Sequence, residues 1–185
     1  MITLVLGGVR SGKSEVAERS IALHGSPVTY IATALVDPED ASHVDRIERH
    51  RRRRPRVWTT VECPEPGRLA DLLATTRGPV LVDSLGSWVV GHFGHRGPGG
   101  DEGAGFISRV DVATGELTAA IVTRTSPTVL VSEEVGMSVH PPSEAGRLFA
   151  DAMGMVNQAV ARVCDEVLLV VAGRALSLPG RPEER

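Results

Sequence analysis

Residues 7–14, GGVRSGKS, lie between a short apolar run, ITLVL at 2–6, and a helical pattern that sets Val16, Ala17, Ser20 and Ile21 on one side. A strand that turns through glycines into a helix leaves few folds open, and G-x-x-x-x-G-K-[ST] in that context is the signature of a loop that cradles phosphates. The glycines let successive backbone N–H groups point inward, and the helix N-terminus adds partial positive charge. On this reading Gly7, Gly8, Val9, Arg10, Ser11, Gly12, Lys13 and Ser14 bind a nucleoside triphosphate. Lys13 reaches the β and γ oxygens, and the Ser14 hydroxyl is offered to Mg²⁺. Of the 20 lysines and arginines only Lys13 is lysine, so arginine serves wherever a generic cation suffices and the loop keeps the compact ammonium.

The rest of the chain extends the same alternation. VTYIAT (28–33) reads as a second strand. Asp37, Pro38, Glu39 and Asp40 supply a cap, a first-turn proline and first-turn acids for a helix running to about Arg53, stopped by Pro55. VWTTVE (57–62) reads as a strand, 66–76 as a short helix, and PVLVDSL (79–85) as a buried strand ending in Asp83, where a further helix begins. The glycine-rich 91–105 segment is expected to be a mobile loop. A helix over 106–125, a strand in TVLVSEEVG (128–136) and an amphipathic helix carrying Ala145, Leu148, Phe149, Ala152, Val156, Ala159, Val160 and Val163 follow. EVLLVVAGRALSL (166–178) gives a strand, an Ala-Gly turn and a final edge strand, with a loose tail at 178–185. Several strands are solidly Val/Leu, which predicts a mostly parallel central sheet with helices on both faces, an α/β fold. At 185 residues, with no repeat and no linker, residues 1–185 form one nucleotide-binding domain.

Bulk properties exclude several classes of function. No apolar run approaches the roughly 20 residues of a membrane span, and the N-terminus lacks the basic region of a signal peptide, so a cytoplasmic protein is expected. Cys63 and Cys164 are far apart and in no metal-ligand spacing, which predicts reduced thiols. A net charge of −3 and an aromatic fraction of 3% disfavour a general nucleic-acid binder.

Three further features carry candidate chemistry. Asp83, at the end of its strand, can hold Mg²⁺ or its water shell, or cap the following helix. Glu62, Glu133 and Glu134 also sit at strand ends, on the edge where open α/β sheets place ligands, though each could equally cap or face solvent. The run RIERHRRRRPR at 46–56 places His50 among seven arginines with Glu48 the sole acid. It reads as a solvated basic face, as a nucleic-acid patch, or as a histidine whose pKa the arginines lower, leaving a neutral nucleophile beside cations that could clamp a triphosphate and offset charge on a pyrophosphate leaving group. Spacing alone leaves the three open. No Asn-Lys-x-Asp guanine-reading motif can exist, because the only lysine is in the phosphate loop. His43 shares a helix face with His50 and is read as structural or solvated.

GGVRSGKS, YIATA (30–34), RIERHRRRRP (46–55), WTTVE (58–62), VLVDSL (80–85), EVGM (134–137), FADAMGMVNQAVA (149–161) and DEVLLVVAG (165–173) occur in an order that resembles the bifunctional adenosylcobinamide kinase and adenosylcobinamide-phosphate guanylyltransferase family of cobalamin biosynthesis. The resemblance implies a RecA-like P-loop fold, assembly as a homotrimer, and one nucleotide site that serves two reactions. The hydroxyl of the aminopropanol arm of adenosylcobinamide takes the γ-phosphate of ATP or GTP. A histidine then attacks the α-phosphorus of GTP, pyrophosphate leaves, and adenosylcobinamide phosphate accepts the GMP to give adenosylcobinamide-GDP. The guanylylated histidine falls on His50. Nucleotide contacts fall on Gly7 to Ser14, Thr33, Ala34, Leu35, Arg51, Arg52, Arg53, Arg54, Glu62 and Asp83, with Ser14 and Asp83 toward the metal. Two features depart from the family pattern: Glu133 stands where asparagine or a similar residue is expected, and 91–105 is unlike the family's usual sequence. The alternatives are a P-loop kinase without nucleotidyl transfer, and a RecA-like ATPase binding nucleic acid through 46–56.

Overall fold

The computed structural model describes residues 1–25, 27–34, 54–93, 102–139 and 141–180, with residues 102–104 described by their backbone alone. The helix expected from Asp37, the basic run up to Arg53 and most of the glycine-rich segment lie outside the described residues.

Among the described residues seven strands form one sheet: β1 (Ile2–Gly7), β2 (Thr29–Ala32), β3 (Thr59–Glu62), β4 (Val80–Asp83), β5 (Thr128–Glu133), β6 (Glu166–Val171) and β7 (Arg174–Leu178). Their spatial order is β3-β2-β4-β5-β1-β6-β7. Every pairing is parallel except β6 with β7, an antiparallel hairpin turned by Ala172 and Gly173, both at positive φ. Two consequences place the site. All parallel strands end on one edge, and β5 lies between the phosphate-loop strand β1 and the Asp83 strand β4.

Among the described residues the helices are α1 (Lys13–Ala22), α2 (Leu69–Thr75, entered through a 3₁₀ turn at Pro66–Arg68), α3 (Leu85–Gly91), α4 (Glu102–Val122) and α5 (Glu144–Ala161). Because strand side chains alternate, β1 feeds both faces: Val5 packs with Val16, Ala17 and Ile21 of α1, while Leu4 and Leu6 join Leu69, Trp88, Phe106, Leu117, Met153 and Val156 on the other side. Apolar residues at successive positions are what a sheet covered on both faces requires. Tyr30, Leu81 and Val131 belong to the α1 face, so Asp83 and Glu133, each two residues beyond one of these, project to that face as well.

Several element ends differ from those the sequence predicts. Ser84, not Asp83, caps α3, its Oγ accepting from the Ser87 amide at 3.4 Å. The helix expected from residue 106 begins at Glu102 and ends at Val122, because Arg124 closes this end of the molecule. Its guanidinium donates to the carbonyls of Leu73 (2.6 Å), Thr76 (2.7 Å) and Gly78 (2.7 Å), and its Nε to Thr128 Oγ1 (2.6 Å). One side chain thereby satisfies the C-terminus of α2 and the loop entering β4. Among the described residues no helix is long and apolar enough to cross a membrane, and Cys63 and Cys164 are both free thiols.

Candidate active site

The phosphate loop takes its shape from backbone geometry that its residues permit. Gly7 ends β1 where a Cβ would lie 2.5 Å from Ser11 Oγ and 2.8 Å from the Val170 carbonyl, so only glycine lets the loop fold back this tightly. Gly12 has φ +92°, a left-handed conformation that favours glycine, and a Cβ there would meet Gly173 Cα at 3.1 Å. The turn of the final hairpin therefore braces the loop, with the Gly173 amide donating to the Ser11 carbonyl at 2.7 Å. Within the loop the Ser11 amide donates to the Gly8 carbonyl (3.2 Å) and the Lys13 amide to Ser11 Oγ (3.3 Å). Gly8, Val9 and Arg10 stand exposed on its rim, while Lys13 and Ser14 are buried at the first turn of α1. This is the N-terminal, electropositive end of a ten-residue helix.

Lys13 is not idle in this arrangement. Its ammonium lies 3.5 Å from the Gly8 carbonyl and 3.5 Å from Glu133 Oε1. Glu133 ends β5 directly opposite Gly7 in the parallel register. Its Oε1 also accepts from Ser84 Oγ (3.0 Å), and its Oε2 from the Gly86 amide (2.9 Å). The carboxylate thus joins the phosphate loop to the start of α3. The neighbouring Glu134 turns away, taking the Gly136 amide at 2.6 Å. Of the paired acids in EEVG, only the first belongs to the site.

Glu62, Ala32 and Asp83 occupy one row across β3, β2 and β4 at the carboxyl edge. Asp83 Oδ2 accepts from the Tyr30 hydroxyl at 2.7 Å. Tyr30 is 1% exposed. Burial, and next the Asp83 carboxylate, hold its phenol far above the usual range, so it remains a donor. Over the Tyr30 ring lies the Arg54 guanidinium, 3.3 Å from the centroid, and Arg54 also donates to Thr60 Oγ1 at 3.2 Å. Arg54, expected from the resemblance to touch nucleotide, therefore has a second occupation, anchoring the chain as it returns to β3.

Thr33 is likewise engaged. Its buried hydroxyl donates to the Ser84 carbonyl (2.6 Å) and accepts from the Ser84 amide (2.9 Å), fixing the backbone on which Asp83 sits. The structure thus brings Gly7 to Ser14, Thr33, Ala34, Asp83 and Glu62 to one edge of the sheet, with Arg54 against Tyr30 on the α1 face. Leu35, His50, Arg51, Arg52 and Arg53, with His43, lie outside the described residues. Tyr30 and Ser84 were not legible as site residues: Tyr30 reads as part of the strand VTYIAT, and Ser84 as part of the segment PVLVDSL where a strand gives way to a helix.

The matching family model, described as cobinamide kinase / cobinamide phosphate guanyltransferase, spans residues 3–178. A Pseudomonas aeruginosa protein named bifunctional adenosylcobalamin biosynthesis protein CobP is 37% identical over 185 residues, covering 98% of this chain and 99% of that one. An Escherichia coli protein named bifunctional adenosylcobalamin biosynthesis protein CobU is 37% identical over 181 residues, covering 94% and 97%, and its Salmonella typhimurium namesake is 36% identical with the same coverage. Among solved structures, an ATPase of a bacterial type III secretion system superposes with a TM-score of 0.54 at 9% identity, over 95% of this chain and 56% of the larger one, a likeness of fold alone. The sheet order, the phosphate loop at the end of β1 and a match running almost end to end agree, and the chain belongs to the cobinamide kinase / cobinamide phosphate guanyltransferase family.

Proposed function

We propose that the protein catalyses two successive reactions of cobalamin biosynthesis at one nucleotide site, phosphorylating adenosylcobinamide with ATP or GTP and then transferring GMP from GTP to the product. The observation that carries this is the phosphate loop, with Lys13 and Ser14 at the first turn of α1, in a chain that its family model spans almost completely. In the first reaction the inward amides of residues 7–14 and the Lys13 ammonium hold the β- and γ-phosphates. The substrate hydroxyl attacks the γ-phosphorus, the bond to the bridging oxygen breaks and nucleoside diphosphate leaves. In the second, a nitrogen of His50 attacks the α-phosphorus of GTP and pyrophosphate departs. Arg51, Arg52 and Arg53 stabilise the charge on that leaving group, Arg54 holds the end of the segment on Tyr30, and Leu35 and Glu62 contact the nucleotide. The phosphate of adenosylcobinamide phosphate then displaces histidine from the guanylyl group.

Ser14 Oγ and Asp83, oxygen donors on one face, suit Mg²⁺, which takes few protein ligands and fills its shell with phosphate oxygens and water. Among the described residues there is no cluster of three or more His, Cys, Asp or Glu to form a cage. A bound Mg²⁺ would supply neutralisation of charge on the transferring phosphates. Assembly as a homotrimer is part of the same proposal and rests on the family resemblance alone. The test is to supply adenosylcobinamide, Mg²⁺ and GTP and to follow corrinoid products by mass. Sequential appearance of the phosphate and the GDP ester is expected; accumulation of the phosphate alone would leave a kinase without guanylyl transfer.

A further inference from the structure

The pairing of Lys13 with Glu133 raises a question that the two reactions do not answer. The ammonium that must meet the terminal phosphates of a nucleotide is already 3.5 Å from a carboxylate, with the two side chains only 5% and 19% exposed. This carboxylate is not a passing surface group. Ser84 Oγ and the Gly86 amide hold its two oxygens, and a Cβ on residue 86 would fall on Oε2. Its main chain is fixed as well: Asn157 Nδ2 donates to the Glu133 carbonyl at 3.0 Å, Asn157 Oδ1 accepts from Ser132 Oγ at 2.6 Å, and the Glu134 backbone amide donates to the Gly7 carbonyl at 3.1 Å. A fixed negative charge therefore stands beside the Lys13 ammonium, satisfied by that cation and by donors of the kind a phosphate would use.

We propose that Glu133 is a specificity-determining residue of the phosphate loop, an internal anion that competes with the triphosphate for Lys13 and makes nucleotide binding depend on a divalent cation. A phosphate entering the loop must break the Lys13–Glu133 pair and then lie close to a like charge, which costs binding free energy in a partly buried site. A divalent cation carried by the phosphates screens that repulsion. Metal-free triphosphate is thereby discriminated against, and the metal-bound form is selected. The inference rests on the reading of residues 7–14 as a triphosphate site, and its test needs neither corrinoid nor turnover.

The experiment is equilibrium binding of GTP at constant ionic strength, in excess Mg²⁺ and in EDTA, to the wild type, Glu133→Gln and Glu133→Ala. Glutamine keeps the length and the capacity to pair with Ser84 and Gly86 but loses the charge. Both variants are expected to bind metal-free GTP about tenfold more tightly than the wild type, and Mg-GTP by no more than about threefold, so the ratio of the two dissociation constants narrows. Variants that bind metal-free GTP as weakly as the wild type, or more weakly, would overturn the inference. A wild type that binds no GTP under either condition would instead remove the triphosphate reading on which it rests.

Discussion

Tyr30 is the only tyrosine in the chain, so its ionisation can be followed in isolation by absorbance. In the fold it is buried, donates to Asp83 at 2.7 Å and lies under Arg54 at 3.3 Å. Burial and the adjacent carboxylate raise its pKa far above the 10.0 of a free phenol. The folded state therefore keeps a proton that the unfolded chain releases near pH 10. Stability linked to this group is fully present below pH 10 and is lost as pH rises above it, at about 1.4 kcal/mol per pH unit. Tyr30→Phe removes that slope. It keeps the ring and with it the Arg54 stack, but deletes a hydrogen bond to a charged acceptor, costing about 1.5–2 kcal/mol near neutral pH. The assay is urea unfolding of both proteins at pH 7.5 and at pH 10.5–11, together with tyrosinate absorbance of the wild type. The wild type should be the more stable at pH 7.5, its advantage should shrink at high pH, and tyrosinate should appear only as it unfolds. Tyrosinate titrating near pH 10 in a protein that retains its native circular dichroism would mean that Tyr30 is neither desolvated nor held by Asp83 in the folded state.

Arg124→Ala should destabilise by about 3 kcal/mol in urea unfolding, because it strips three carbonyls and Thr128 of one shared donor; Arg124→Lys should recover less than half, since an ammonium cannot span the four acceptors. An effect under about 0.5 kcal/mol would contradict that role. Burial pushes the Cys164 thiol up to about 12 and raises Cys63 as well. Neither should be alkylated by iodoacetamide at pH 8 in minutes, whereas both should react once unfolded; mass spectrometry reads the difference, and rapid native labelling of Cys164 would contradict it.

What the sequence made legible was local. The glycine loop between β1 and α1, the strand ending in Asp83 and the closing Ala-Gly hairpin each declare themselves within about ten residues. Solid Val/Leu runs identified a sheet covered on both faces. What escaped were pairings between distant segments. Asp83 reads alone as either cap or metal ligand, and only the fold shows that Ser84 takes the cap while Asp83 accepts from Tyr30. Glu133 and Glu134 are adjacent and alike in sequence. The period of two in β5 sends one to Lys13, and the end of the strand frees the other to bind Gly136. Thr33 is a nucleotide contact by resemblance, and nothing local to it records that its hydroxyl braces the Ser84 backbone. The bracing of Gly12 by Gly173 joins residues at opposite ends of the chain, where no short motif can record it.

On the proposed function one site performs both phosphoryl and guanylyl transfer, the latter through His50. The most direct measurement is incubation with Mg²⁺ and GTP labelled at the α-phosphate, followed by denaturation and counting of protein-bound label, for the wild type and His50→Ala. Acid-labile, alkali-stable label is expected on the wild type and none on the variant, with γ-phosphate transfer to adenosylcobinamide by both. A wild type that transfers γ-phosphate but takes no label, or a variant labelled as fully as the wild type, would contradict it.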